Sequence, residues 1–209
     1  MALSTPAHAL KRTAVDDVLA IGSFAAGRGW TPATSGNFSC RVDDHRIAIT
    51  RSGIDKSALI PSDVLIFSMT EPPPADASAE TPLHAARYRN DPAIGMVVHV
   101  HSVAATVLSR AASADGFLYF SGYEMQKAFR GISSHEERIS LPVFANSQQM
   151  PELALEIESA LTKSADVAPG FLLAGHGLYT WGRDRVEAQR HLEALEFLMT
   201  CELEERRLR

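Results

Sequence analysis

Gly95-Met96-Val97-Val98-His99-Val100-His101-Ser102 is the stretch on which the fold turns. An apolar run that passes directly into His-Val-His reads as a buried strand, and the strand's side-chain period of two turns both imidazoles to one face. On a helix the two rings would diverge. A third imidazole comes in Ala174-Gly175-His176-Gly177, again just past an apolar run, Phe171-Leu172-Leu173. Glycine on both sides of His176 leaves room beside the ring and lets backbone approach closely, which a packed core histidine does not need. Three neutral imidazoles with one position left open describe a catalytic rather than a structural zinc site, with His99, His101 and His176 as ligands.

Toward the N-terminus, Leu10, Ala14, Val18, Ile21 and Ala25 recur at steps of three and four, one face of an amphipathic helix that ends at Gly27 or Gly29. After the turn Thr34-Ser35-Gly36-Asn37, two alternating runs over 38–42 and 46–50, separated by Asp43-Asp44-His45, predict a hairpin. A second polar turn, Thr50-Arg51-Ser52-Gly53, has Lys56 close behind and precedes an apolar strand over 64–67. Residues 71–79 hold three consecutive prolines and form a loop, since proline lacks a donor and fixes the backbone. Thr81 as N-cap and Pro82 at the first helical position then start a helix that stops before Asp91-Pro92, leaving Glu80 at its mouth.

Toward the C-terminus, Ser102 caps a helix over 103–110, and 117–120 is a strand followed by Tyr123-Glu124-Met125-Gln126-Lys127. The strand over 139–144 contains Pro142 and is expected at an edge or terminal position. Leu153, Ile157 and Leu161 mark a helix that breaks near Pro169-Gly170; strands flank His176; Ala188, Leu192, Leu195 and Met199 mark a final helix. Helices at both ends and between the strands predict a sheet covered by helices. With no repeat, linker or change of composition, residues 1–209 read as one domain.

Bulk properties narrow the function classes. Hydrophobic residues at 45% and charged residues at 22% describe an ordinary globular chain rather than a disordered or fibrous one. A net charge of −5 with both signs interspersed offers no stripe to a phosphate backbone, so nucleic acid is not an expected partner. Cys40 and Cys201 make no Cys-x-x-Cys pattern, which fits a reducing, cytoplasmic setting. The first residues lack the pattern of an export signal, and no apolar run is long enough to span a bilayer, so no membrane association is expected.

Glu80 and Glu124 are the candidate acid and base; a carboxylate beside a metal either ligates it or moves a proton next to a polarised carbonyl. The bland alternative for Glu124 is an exposed first-turn residue favourable to a helix dipole. The turns at 34–37 and 50–53 combine small hydroxyls, glycine and a nearby cation, the ingredients of an anion site and equally of a plain hairpin turn. Ser78 adds a third hydroxyl of the same kind. His84, His135 and His191 read as structural or surface residues, with His84 one helical turn beyond Glu80. Cys40 reads as a small buried hydrophobe.

In order, Thr-Ser-Gly-Asn, Arg-Ser-Gly, Ser-Ala-Glu with a histidine four residues on, His-Val-His-Ser and Gly-His-Gly-Leu-Tyr resemble the class II aldolase/adducin family over almost the whole chain. Gly122-Tyr123-Glu124-Met125-Gln126-Lys127, Pro142-Val143-Phe144-Ala145-Asn146-Ser147-Gln148 and His191-Leu192-Glu193-Ala194-Leu195-Glu196-Phe197-Leu198 resemble its dehydratases of methionine salvage, as does the run from Gly175 to Gly182. The resemblance implies a three-layer α/β/α domain around a largely antiparallel sheet, a homotetramer with sites at subunit interfaces, and one zinc per subunit on His99, His101 and His176. It implies that Ser35, Gly36, Asn37, Ser52, Gly53 and Ser78 surround the phosphate of a sugar-phosphate substrate. Glu80 matches the glutamate that the aldolases use beside the metal, and Glu124 the acid/base of the dehydratases. The implied reaction is dehydration of a methylthio-substituted ketose 1-phosphate. Glutamate suits that task if burial raises its pKa toward neutrality. An aldolase or epimerase, and a non-catalytic adducin-like module, are the alternatives.

Overall fold

The strand around His99 lies in the interior of a single sheet. In the computed structural model, which describes residues 7–163 and 167–209, the chain runs α1 (Ala7–Gly27), β1 (Asn37–Arg41), β2 (Arg46–Thr50), β3 (Val64–Ser68), α2 (Thr81–Asn90), β4 (Met96–Val100) and α3 (Val103–Ala111). It continues through β5 (Phe117–Phe120), β6 (Ile139–Phe144), α4 (Met150–Lys163), β7 (Gly170–Leu173), β8 (Gly177–Gly182) and α5 (Arg185–Leu208). Residues 1–6, in which no export signal is expected, lie outside the described residues.

The eight strands form one sheet in the order β3-β2-β1-β4-β8-β7-β6-β5. Only β6 and β7 run parallel; the other neighbours are antiparallel. Every residue of β4 is buried, because both faces of the sheet are covered. On one face Met96, Val98 and Val100 join Val18 and Ile21 of α1, Leu108 of α3, and Leu192 and Leu195 of α5. On the other, Leu83 of α2 and Leu153 and Ile157 of α4 pack on Phe171, Leu173 and Tyr179. Each such side chain contributes about 1.5–3 kcal/mol on burial. His99 shares the second face, so the α/β/α layering buries the His99 end of β4.

Two local expectations are corrected. Helix α2 begins at Thr81 itself, with Glu80 in the N-cap position and no side-chain cap hydrogen bond. The Thr81 hydroxyl instead donates to the Ser78 carbonyl at 2.6 Å, which leaves the Glu80 carboxylate free for the site. Strand β6 is not an edge strand: β5 lies outside it. Pro142 is tolerated because it pairs with Phe117 of β5, and the parallel ladder to β7 begins one residue later at Val143. The missing N–H thus falls at a junction of two ladders. Among the described residues no helix is long and apolar enough to cross a membrane.

Candidate metal centre and the turns beside it

His99 is the penultimate residue of the buried β4, His101 lies just past its end, and His176 sits in the turn between β7 and β8. Antiparallel pairing of β4 with β8, with His99 opposite Tyr179 and Val100 opposite Leu178, brings that turn alongside. The approach is so close that a Cβ on Gly177 would come 2.1 Å from the Val100 carbonyl oxygen, so only glycine fits there. His99 Nε2 lies 2.8 Å from His101 Nε2, which lies 3.1 Å from His176 Nε2. Glu80 completes the group, with its carboxylate oxygens 2.9 Å from His176 Nε2 and 3.4 Å from His99 Nε2.

Four donor atoms, all within 4.8 Å of one another, match the span of a tetrahedral site, in which ligand nitrogens stand about 3.3 Å apart. The tautomers agree. His99 Nδ1 is 3.0 Å from the Leu178 carbonyl oxygen, which only accepts, so Nδ1 carries the proton and Nε2 presents its lone pair inward. His176 Nδ1 stands 3.3 Å from Asn146 Oδ1 in the same sense. Converging lone pairs and a carboxylate repel one another unless a cation lies between them, so the residues fit a divalent metal.

Electrostatics favour the same state. Burial drives His99 down to about 3 and His101 down to about 4, keeping both neutral and ligand-ready. Burial alone would raise Glu80, but His99, His176 and the Asn37 amide outweigh it and hold the carboxyl well below its ordinary range. A chain of buried groups fixes Asn37: its Oδ1 accepts from His84 Nε2 at 2.5 Å, and His84 Nδ1 is 2.7 Å from the Ser39 hydroxyl. Asn37 Nδ2 then donates to Glu80 and to Ser78. His84 is accordingly a buried support of Glu80 through Asn37, a role its place one turn beyond Glu80 hinted at.

The predicted anion turns lie next to this centre. Asn37 pairs with His99 across β1 and β4, and Gly36 has φ +77°, with the position of a Cβ 2.7 Å from the His99 carbonyl oxygen. The Ser35 hydroxyl is buried without a partner, as a group awaiting a ligand would be. Ser52 and Gly53 form the second turn, Gly53 also at positive φ, and the Ser52 N–H donates to the Asp76 carbonyl. Lys56, read from the sequence with Arg51 as a cation that would add charge to these turns, is fully buried: its ammonium donates to Thr34 O at 3.0 Å and Ile54 O at 2.6 Å, tying the two turns together. Two of its three donors are thereby used. Arg51 is occupied by Asp76 and the Ser62 carbonyl.

Glu124 is not brought to the centre by its own chain. It opens the 3-10 helix Glu124–Ala128 with its side chain 70% exposed, 2.6 Å from Lys127 Nζ and 3.2 Å from His135 Nδ1. Lys127 lowers its pKa, so the expected upward shift through burial is absent from the single chain. His135 is thus a surface partner of Glu124, while His191 is buried with Nδ1 2.7 Å from the Trp181 carbonyl. Cys40 is buried and its thiol is pushed up to about 12 by burial. Asn146 is the residue that sequence reasoning passes over; it lies inside the run from Pro142 to Gln148, but its contact with His176 comes from the chain's crossing, not from spacing.

Residues 16–203 match the family described as class II aldolase and adducin N-terminal domain. A methylthioribulose-1-phosphate dehydratase of Bradyrhizobium sp. (strain BTAi1) is 50% identical over 192 residues, spanning 90% of this chain and 89% of that protein. The protein of the same name from Xanthomonas campestris pv. campestris (strain 8004) is 48% identical over 187 residues, 88% and 85% of the two chains. Among solved structures, an L-fuculose-1-phosphate aldolase from Thermus thermophilus shares the fold with a TM-score of 0.74 at 28% identity, covering 92% of this chain and 95% of that one.

Proposed function

From the premise that this chain belongs to the class II aldolase and adducin family, we propose that it is a methylthioribulose-1-phosphate dehydratase, a hydro-lyase of methionine salvage. The observation that carries this reading is identity near one half with the dehydratases over about nine-tenths of the chain. The four-residue metal-ligating group supports it.

In this reading His99, His101 and His176 hold a zinc ion, one per subunit, with Glu80 beside it. When bound, the metal supplies Lewis-acid polarisation of the substrate's C2 carbonyl. Ser35, Gly36, Asn37, Ser52, Gly53 and Ser78 surround the phosphate, and Lys56, joining both turns from below, adds the positive charge. Glu124 takes the C3 proton as a carboxylate. The electron pair left at C3 forms the C3–C4 double bond as the C4 oxygen departs, and Glu124 returns its proton to that oxygen, releasing water. The enol tautomerises to 2,3-diketo-5-methylthiopentyl 1-phosphate. The lowered pKa suits the first half of this cycle, and burial on assembly supplies the second.

Because Glu124 is exposed and its contacts are Lys127 and His135 rather than the imidazole cluster, the reading includes a homotetramer in which Glu124 serves a neighbouring subunit's site. It also takes residues 1–209 as a single domain working in the cytoplasm, where Cys40 and Cys201 stay free. The likeness to a sugar-phosphate aldolase supports a second reading, carbon–carbon cleavage of a related ketose phosphate. Incubation with methylthioribulose 1-phosphate, with and without a chelator, tests both: metal-dependent loss of water is expected. Cleavage to two fragments would favour the aldolase, and a purified protein without stoichiometric metal would favour a non-catalytic module.

A further inference from the structure

One polar group at the metal centre is left unused by every contact around it. Tyr179 on β8 stands opposite His99, and its ring is layered between His99, at 3.9 Å and 16°, and Phe171, at 4.7 Å and 10°. The side chain is fully enclosed, and its hydroxyl has no hydrogen-bond partner. Phenylalanine would fill the same stack without enclosing an unpaired hydroxyl. The charged group that faces the hydroxyl is Glu80: burial, and then this carboxylate, push the phenol far above its ordinary pKa, although the contact falls short of hydrogen-bonding geometry.

In the structure Glu80 makes its close contacts elsewhere. One oxygen lies 2.9 Å from His176 Nε2 and the other on Asn37 Nδ2, which is itself held by His84 through Oδ1. The Asn37 contact is a fixed pivot about which the carboxylate has two neighbours to choose from, the imidazole cluster and the Tyr179 hydroxyl. We infer that Tyr179 is a positioning residue whose hydroxyl donates to Glu80 when the carboxylate turns away from His176, giving it a second resting place outside the cluster. In that setting the space between the three rings stands open, as a catalytic rather than a structural site requires. The inference rests on the metal-centre assignment and is independent of which substrate is used.

Tyr179→Phe removes the hydroxyl and keeps the stack. Zinc affinity, measured by competition with a chromophoric chelator, and the melting temperature of the metal-free protein are compared in wild type, Tyr179→Phe, Glu80→Gln and the double variant. Deleting the second resting place raises the fraction of Glu80 turned toward the cluster, so Tyr179→Phe is expected to bind zinc about two- to tenfold more tightly. The melting temperature of the metal-free protein is expected to hold or rise, because the hydroxyl removed is unpaired. In the Glu80→Gln background the same deletion is expected to leave zinc affinity unaltered. Unchanged or weaker zinc binding in Tyr179→Phe overturns the inference, as does tightening that persists without Glu80. An inactive wild type would sink the dehydratase reading yet leave this comparison intact.

Discussion

The imidazole cluster and the Glu124 patch are opposites in construction. In the first, His99 is buried and the other members half-buried, and three of them are held from behind: His99 by Leu178, His176 by Asn146, Glu80 by Asn37. The second lies on the surface, where Glu124, Lys127 and His135 meet with little cover. Surface ion pairs of this kind contribute little to stability, so the fold gains almost nothing from the patch. The difference teaches that the chain brings its candidate metal ligands together alone, whereas Glu124, the proposed proton-transfer group, gains no enclosure from its own chain.

The contrast is broken most directly by removing one member from each region. His176→Ala is expected to lose both metal and activity, whereas Glu124→Gln should keep full metal occupancy and lose about 10²–10⁴-fold in kcat. Metal analysis beside turnover separates them, and an active Glu124→Gln enzyme would return the patch to plain surface. A sharper cut between binding and chemistry comes from Lys56→Met. Loss of one charge-assisted contact at about 1.5–3 kcal/mol predicts a KM about 10- to 100-fold higher, with kcat and metal content little changed. Steady-state kinetics check this, and a KM that stays put would confine Lys56 to tying the turns together.

The smallest effect concerns pH. Burial holds His84 down at about 4, against an ordinary value of 6.5. Between those values the unfolded chain binds a proton that the folded chain does not, so stability is lost as pH falls from 6.5 toward 4 and is fully present above 6.5. The melting temperature of metal-free protein should therefore fall across that window and level off above it. A flat profile would mean that His84 is not held neutral.

The cluster is legible because its signals are local. His99 and His101 announce themselves by strand periodicity, and glycines frame His176 for a reason visible in the close approach to Val100. The helices and strands follow from apolar spacing, and the errors fall where one residue serves two neighbours. Thr81 reads as a cap but bonds back to Ser78, and Pro142 reads as marking an edge but stands where β6 changes partner. Lys56 is legible as a cation near the turns, but nothing in a sequence marks a lysine as buried between two carbonyls from separate turns. Glu124 is recognisable through family resemblance alone; its own neighbourhood in sequence is that of any exposed helix start.

The pairing of Asn37 with His99 has one more consequence. On the proposed assignment, the residue that helps seat the phosphate and the residue that begins the metal centre are rungs of the same ladder, set apart by the spacing of adjacent strands, about 4.7–4.9 Å. The sheet therefore acts as a ruler. On that assignment a ketose whose carbonyl sits one carbon further from its phosphate would meet these two residues out of register.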